Sequence, residues 1–211
     1  MKISHFCCGA ILIGLLVAVE ACRGTPPNPP TTPPPPISSP ILLDEAGGAP
    51  EYVCEFADTP ITIDGKAVET AWKRAPVIDN FIMPWTADKR RPKNATRARV
   101  LWDREFFYFF AEMDDPDLVA RPTEHNGRVW ENDCFEVFLK PAADKPGYYE
   151  FEVNADNVTF EMYIPDREKG GWPEFKDKHP FKFDTAVVLR GAVGKHTEGG
   201  GWSVEGKLRW A

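Results

Sequence analysis

The chain has no uninterrupted apolar stretch long enough to cross a bilayer. Its longest, from Phe6 to Val19, stops short of the roughly 20 residues a membrane helix requires. It lacks a basic stripe as well: the formal net charge is -7 and the pI about 5.2, which argues against nucleic-acid binding. The single basic cluster, Lys89, Arg90, Arg91 and Lys93 around Pro92, reads as a solvated loop. Histidines are few, and His125, His179 and His196 sit in loops without metal-ligand spacing, so no transition-metal site is predicted. No Cys-x-x-Cys-His motif is present, which excludes only covalent c-type haem attachment. Helical periodicity is confined to Ala67–Arg74, and no internal repeat is visible.

What the N-terminus does contain is an export pattern. Lys2 precedes the apolar run, and Val19-Glu20-Ala21-Cys22 follows it. Residues 1–21 read as a signal peptide of lipoprotein type, with Cys22 the residue to be lipidated. Ordinary cleavage without lipid, and an uncleaved anchor, are the alternatives, since Glu20 is unusual in a lipobox. Residues 22–50 carry a dense proline run from Pro26 to Pro40. Such a run favours extended polyproline II and acts as a semi-rigid spacer. Of five cysteines, Cys7 and Cys8 leave with the signal, and Cys54 and Cys134 remain. In an exported protein they could form a disulfide; two buried free thiols are the alternative.

From residue 51 to 211 a period of two dominates. Short strands are expected at Tyr52–Phe56, Ile61–Ile63, Ala95–Trp102, Phe106–Met113, Asp133–Lys140, Tyr148–Asn154, Val158–Ile164, Phe183–Leu189 and Trp202–Trp210, with Val77–Met83 extended. Phe106-Phe107-Tyr108-Phe109-Phe110 is apolar on both faces, which marks a central strand. Trp72 and Trp102 lie in apolar patterns and are expected in the core. Many strands with turns about every ten residues predict an all-β fold: an antiparallel, jelly-roll-like β-sandwich with one short helix.

Parity along neighbouring strands assigns faces. Glu136, Glu150, Glu152, Asn154 and Glu161 are expected to gather on one face beside aromatic rings. Carboxylates and amides suit sugar hydroxyls, and rings stack on the apolar side of a pyranose. A plain solvated outer face is the competing reading.

Several landmarks follow one another in order: Ile61-Thr62-Ile63-Asp64-Gly65, Glu69 and Trp72, Thr96 to Asp103, Tyr108, Asp115-Pro116, Trp130 to Leu139, and Tyr149 to Asn154. In this order they resemble the family-9 carbohydrate-binding modules of the DOMON-like superfamily. The resemblance implies a β-sandwich that clamps a sugar between two tryptophans, and structural calcium in some members. Trp130 falls on the first clamp tryptophan, Glu136 on a hydroxyl-binding glutamate and Asn154 on a family asparagine. Glu152 stands where xylanase-attached modules place a sugar-contacting arginine, a departure that bears on specificity. The second clamp tryptophan belongs beyond Trp210 and Ala211, so the chain reads as truncated at its C-terminus; otherwise Trp85 or Trp172 closes the site.

The expected function is therefore non-catalytic binding of an oligo- or polysaccharide at the cell surface, with the membrane reached only through the N-terminal lipid. Calcium is the one expected cofactor, at Asp114, Asp115 and Asp117 through oxygen ligands, although an acidic turn explains the same residues. Three rivals are weighed against it. A jelly-roll glycoside hydrolase would use Glu131 and Glu136, which strict alternation puts on opposite faces. A haem-binding DOMON-like domain would use Met113 and Met162 as axial ligands. The third rival is a surface protein without a small ligand.

Overall fold

The computed structural model describes residues 52–83, 86–88, 90–140, 144–166, 172–178 and 181–209. The expected signal peptide, spacer and Cys22 lie outside these residues, as do Trp85 and Trp210. Among the described residues eight strands are formed: β1 (Glu55–Phe56), β2 (Thr96–Trp102), β3 (Phe106–Asp114), β4 (Cys134–Leu139), β5 (Tyr148–Asn154), β6 (Thr159–Ile164), β7 (Phe183–Arg190) and β8 (Gly201–Arg209). Two short helices, α1 (Thr70–Arg74) and α2 (Trp172–Phe175), and a 3-10 turn at Val129–Glu131 complete the list. One sheet has the order β1-β2-β3-β8-β7 and the other β4-β5-β6. The all-β sandwich is as expected, with one helix more than the sequence suggested.

The core forms where the alternating apolar residues of the two sheets meet. Val100, Phe107, Phe109 and Val204 of the larger sheet pack with Phe135, Val137, Phe151 and Val153 of the smaller. The Phe109 and Phe135 rings are stacked with centroids 5.6 Å apart. On the neighbouring strand Gly206 is the partner of Phe109, and the Phe109 ring occupies the space a Cβ there would need. Glycine at 206 thus lets a bulky ring lie across the sheet.

Strand β3 is central, between β2 and β8. Its second apolar face, Tyr108 and Phe110, is covered by Ala71 and Trp72 of α1 and by Ile61 and Ile63. Hairpin β2–β3 turns on Asp103, whose Oδ1 accepts the N–H groups of Glu105 and Phe106, and whose Oδ2 accepts the Tyr108 hydroxyl.

Three expectations need correction. Ile61–Ile63 is not a strand: the N–H groups just after it, of Asp64 and Gly65, bond to the Glu205 side chain instead of a ladder. β1 pairs with β2 in parallel, so the sandwich is not wholly antiparallel. Trp102 is not a core residue; it remains 41% exposed. It ends β2, where edge strand β1 packs on it: the Phe56 ring meets it edge-on at 5.1 Å, and its indole N–H bonds to the Cys54 carbonyl.

Candidate functional site

The outer face of the three-stranded sheet follows from register. Cys134 lies opposite Asn154, Glu136 opposite Glu152, and Phe138 opposite Glu150. Across the next seam Glu152 faces Phe160, Glu150 faces Met162, and Tyr148 faces Ile164. Directly opposed residues share a face, so Glu136, Glu150, Glu152 and Asn154 do come together. Glu161 does not join them. It pairs with Phe151, which points into the core, and its carboxylate accepts the Phe181 N–H with His125 Nε2 3.8 Å away.

This face is partly roofed. Val129 from the 3-10 turn and Phe175 from α2 pack with Cys134, Phe160, Met162 and Ile164, and Trp130, Tyr148 and Val158 border them. Trp130 is half-buried and stands edge-on to Phe160 at 5.3 Å. Phe138 and Tyr148, also half-buried, have ring centroids 6.1 Å apart. Rings thus stand at both ends of the strip, and carboxyls lie between them.

Those carboxyls are hidden more deeply than parity implied. Glu136 retains 3% exposure and Glu152 none. Burial raises both side chains, Glu136 to about 7 and Glu152 further still, and mutual repulsion adds to the shift on Glu152. Glu136 accepts a bond from the Cys134 thiol at 3.4 Å. Neither oxygen of Glu152 has a hydrogen-bond partner, although the Glu150 carboxyl and the Trp130 backbone lie close enough to perturb it. Both glutamates therefore form the floor of the strip, and their expected contact with sugar hydroxyls is screened by the roof.

Asn154, also expected to read hydroxyls, is turned to backbone work. Its Oδ1 accepts the N–H groups of Asp156 and Val158, and its Nδ2 donates to the Pro122 carbonyl. Fully buried, it holds the β5–β6 turn and ties the 115–133 loop to the sheet. Asn126 has a similar part that sequence reading missed. It adopts φ 59°, accepts the Glu161 N–H and donates to Asp177.

The remaining expected sites separate. Asp114 pairs with Arg190 at 2.8 Å, Asp115 accepts the Asp117 N–H, and Asp117 lies 2.7 Å from His196. Asp114 and Asp117 are thus engaged by Arg190 and His196 from a distant part of the chain, and Asp115 by its neighbour's backbone. Cys54 and Cys134 are free thiols, the first half-buried and the second buried, which favours the free-thiol alternative over the possible disulfide. Cys54 borders the core between the sheets, while Cys134 lies in the cluster on the outer side of the smaller sheet. Burial pushes the Cys54 thiol up to about 12. Met113 belongs to the inter-sheet core and Met162 to the outer cluster, so a sheet separates the two expected haem ligands. Glu131 ends the 3-10 turn rather than sharing a strand with Glu136, and it pairs with Arg128 at 3.0 Å. Trp172 opens α2.

Comparison with known proteins agrees with the β-sandwich fold. The model of the carbohydrate family 9 binding domain-like family matches residues 63–211. Endo-1,4-beta-xylanase A of Thermotoga maritima is 30% identical over 162 residues, covering 71% of this chain and 13% of the xylanase. The chain thus corresponds to a small part of that relative. A family 9 carbohydrate-binding module from Caldicellulosiruptor kristjanssonii, solved with glucose, is similar over 76% of this chain and 70% of its own, with TM-score 0.50 and 18% identity. A Bacteroides uniformis protein is similar over 74% and 71%, with TM-score 0.57 and 17% identity. At such identities the structural likeness speaks for the fold, while the family match extends from Ile63, near the start of the described residues, to the end of the chain: the chain belongs to the carbohydrate family 9 binding domain-like family.

Proposed function

We propose that the outer face of β4-β5-β6 binds an oligosaccharide without cleaving it. The observation that carries this reading is the strip itself: half-buried Trp130 at one end, the Phe138–Tyr148 pair at the other, and Glu150 between them, opposite Phe138. Pyranose rings stack on the aromatic faces, and Glu150 accepts hydroxyl hydrogen bonds. The span from Glu152 to Tyr148 is about 13 Å at the usual strand rise, which suits more than one sugar ring. The Caldicellulosiruptor module solved with cellotriose supports a glucan-like ligand; the kinship with xylanases makes xylan the second choice. Trp130 is assigned the stacking role of the first clamp residue. Glu136 and Glu152 reach a sugar only if the roof moves.

The N-terminal residues complete the reading. A signal peptide over residues 1–21, lipid on Cys22 and a proline spacer over 22–50 would display the domain at the cell surface. Calcium at Asp114, Asp115 and Asp117 would brace the loop behind it.

Calorimetric titration with cello- and xylo-oligosaccharides, beside Trp130→Ala, tests the proposal. Saturable binding to one series, weakened at least tenfold by the substitution, is the expected result. A folded protein that binds neither series, or a Trp130→Ala protein that binds as well as the parent, overturns it.

A further inference from the structure

Beneath that strip lies a second arrangement that sugar binding does not use. Cys134 Sγ and one carboxylate oxygen each from Glu136 and Glu152 all lie within 4.8 Å of one another, and all three residues are buried. Among the described residues no other such group of three metal-ligating side chains occurs. Glu152 is fully buried, and both its oxygens lack a hydrogen-bond partner. The Glu150 carboxyl acts on both glutamates, and Glu136 acts on Glu152.

A buried carboxylate without a donor or counter-charge is expensive. Here Glu152 is such a group, and with Glu136, which accepts a bond from the thiol itself, it converges on Cys134. We propose that Cys134, Glu136 and Glu152 form a binding site for a divalent transition metal of the zinc class. The thiol decides the class. Calcium and magnesium take oxygen donors, whereas a thiolate with two carboxylates suits Zn2+ or Co2+. A tetrahedral zinc ion sets its donors roughly 3.5 Å apart, so the present separations, none above 4.8 Å, exceed that spacing by about 1 Å at most.

Binding is a ligand exchange with a simple balance. The Cys134 S–H bond breaks, its proton leaves to solvent, and the sulfur lone pair forms the bond to the metal. A carboxylic acid among the two glutamates gives up its proton in the same way. The metal's charge then neutralises the cluster, and the three protein donors leave one position for water. Because the donors come from paired positions on β4 and β5, the metal would pin that seam together. Sugar binding is not required for any of this.

The test uses the whole chain, reduced, stripped with a chelator and titrated with Co2+. The expected result is one equivalent bound, with a thiolate-to-cobalt charge-transfer band in the near ultraviolet that Zn2+ abolishes by displacement. Cys134→Ser should remove the band, and Glu152→Gln should weaken binding at least tenfold. Cys54→Ser, and a variant with Cys7, Cys8 and Cys22 all changed to Ser, should leave the band unchanged, which separates this thiol from the other four. Near-ultraviolet circular dichroism of the metal-free proteins checks that Glu152→Gln, the least disruptive variant, is folded. The proposal is overturned if no band forms, if the band survives Cys134→Ser, or if folded Glu152→Gln binds cobalt as tightly as the parent.

Discussion

The Trp72 indole N–H donates to Oε1 of Glu205 at 2.9 Å across 133 residues of chain. The other oxygen, Oε2, accepts the N–H groups of Asp64 and Gly65. A fully buried glutamate on β8 thus fastens the segment from Asp64 to Trp72 to the larger sheet. Burial pushes its pKa above the ordinary carboxylate value, and the three donors oppose that shift. Gly65 at φ 82° lets two consecutive N–H groups point at one oxygen.

Glu205→Ala would leave three donors without an acceptor, two of them buried. Hydrogen bonds to charged groups are worth about 1.5–3 kcal/mol each, and orphaned donors cost a similar amount. Urea denaturation should show a loss of at least about 3 kcal/mol. Trp72→Phe removes only one donor and should cost less than half as much. If Glu205→Ala unfolds at the parent's midpoint, the anchor is not supporting the fold.

Asn154→Ala separates backbone support from ligand reading. The amide's three bonds all go to backbone, so a loss of about 2–3 kcal/mol in stability is expected. Oligosaccharide affinity, measured by calorimetry below the unfolding transition, should stay within twofold of the parent. A tenfold loss of affinity at unchanged stability would return Asn154 to the binding site.

Trp102→Ala supplies the control for Trp130→Ala. Trp102 lies on the five-stranded sheet, beside Phe56, away from the aromatic strip. Its removal should leave sugar binding intact while Trp130→Ala abolishes it. Equal losses in both would mean that the effect travels through folding.

Asp103 gives a pH dependence of definite sign. Burial alone would raise its carboxyl, but bonds from the Tyr108 hydroxyl and the Glu105 and Phe106 N–H groups outweigh it and hold the carboxyl below the ordinary range. A depressed value means that the folded state binds fewer protons than the unfolded state near the carboxylate range. The stabilisation is full above the unfolded value of about 3.9 and is lost as pH falls through the lower folded value. Asp103→Asn should therefore lower the melting temperature at pH 6 and much less at pH 2.5. A deficit of equal size at both pH values would assign the loss to packing rather than to charge.

Gly206→Ala tests the cross-sheet ring. A Cβ at position 206 would overlap the Phe109 ring, which is itself stacked in the core on Phe135. Overpacking of this kind costs about 1–3 kcal/mol, read as a lower denaturation midpoint. The double variant Gly206→Ala, Phe109→Leu should recover part of the Gly206→Ala penalty relative to Phe109→Leu alone.

Sequence alone determined the parts of this protein that depend on neighbours along the chain. The period of two in Tyr148–Asn154 placed β5 at its observed bounds, and the two-faced apolar run of β3 marked a central strand, because alternation and burial are local signals. The ordered landmarks from Ile61 to Asn154 carried the family, and the run from Trp130 to Leu139 carried the strand at the heart of the site. Tertiary structure decided the rest. Only inter-strand register put Glu161 on the inner side, opposite Phe151. Only the position of β2's end at the edge of the sandwich left Trp102 exposed. The roof of Val129 and Phe175 over the outer face has no period to reveal it, and it turned glutamates that parity offered to solvent into a buried pair. Parity states which face a side chain takes; what covers that face depends on segments far away in sequence, and their docking is paid for by the whole core rather than by any local pattern.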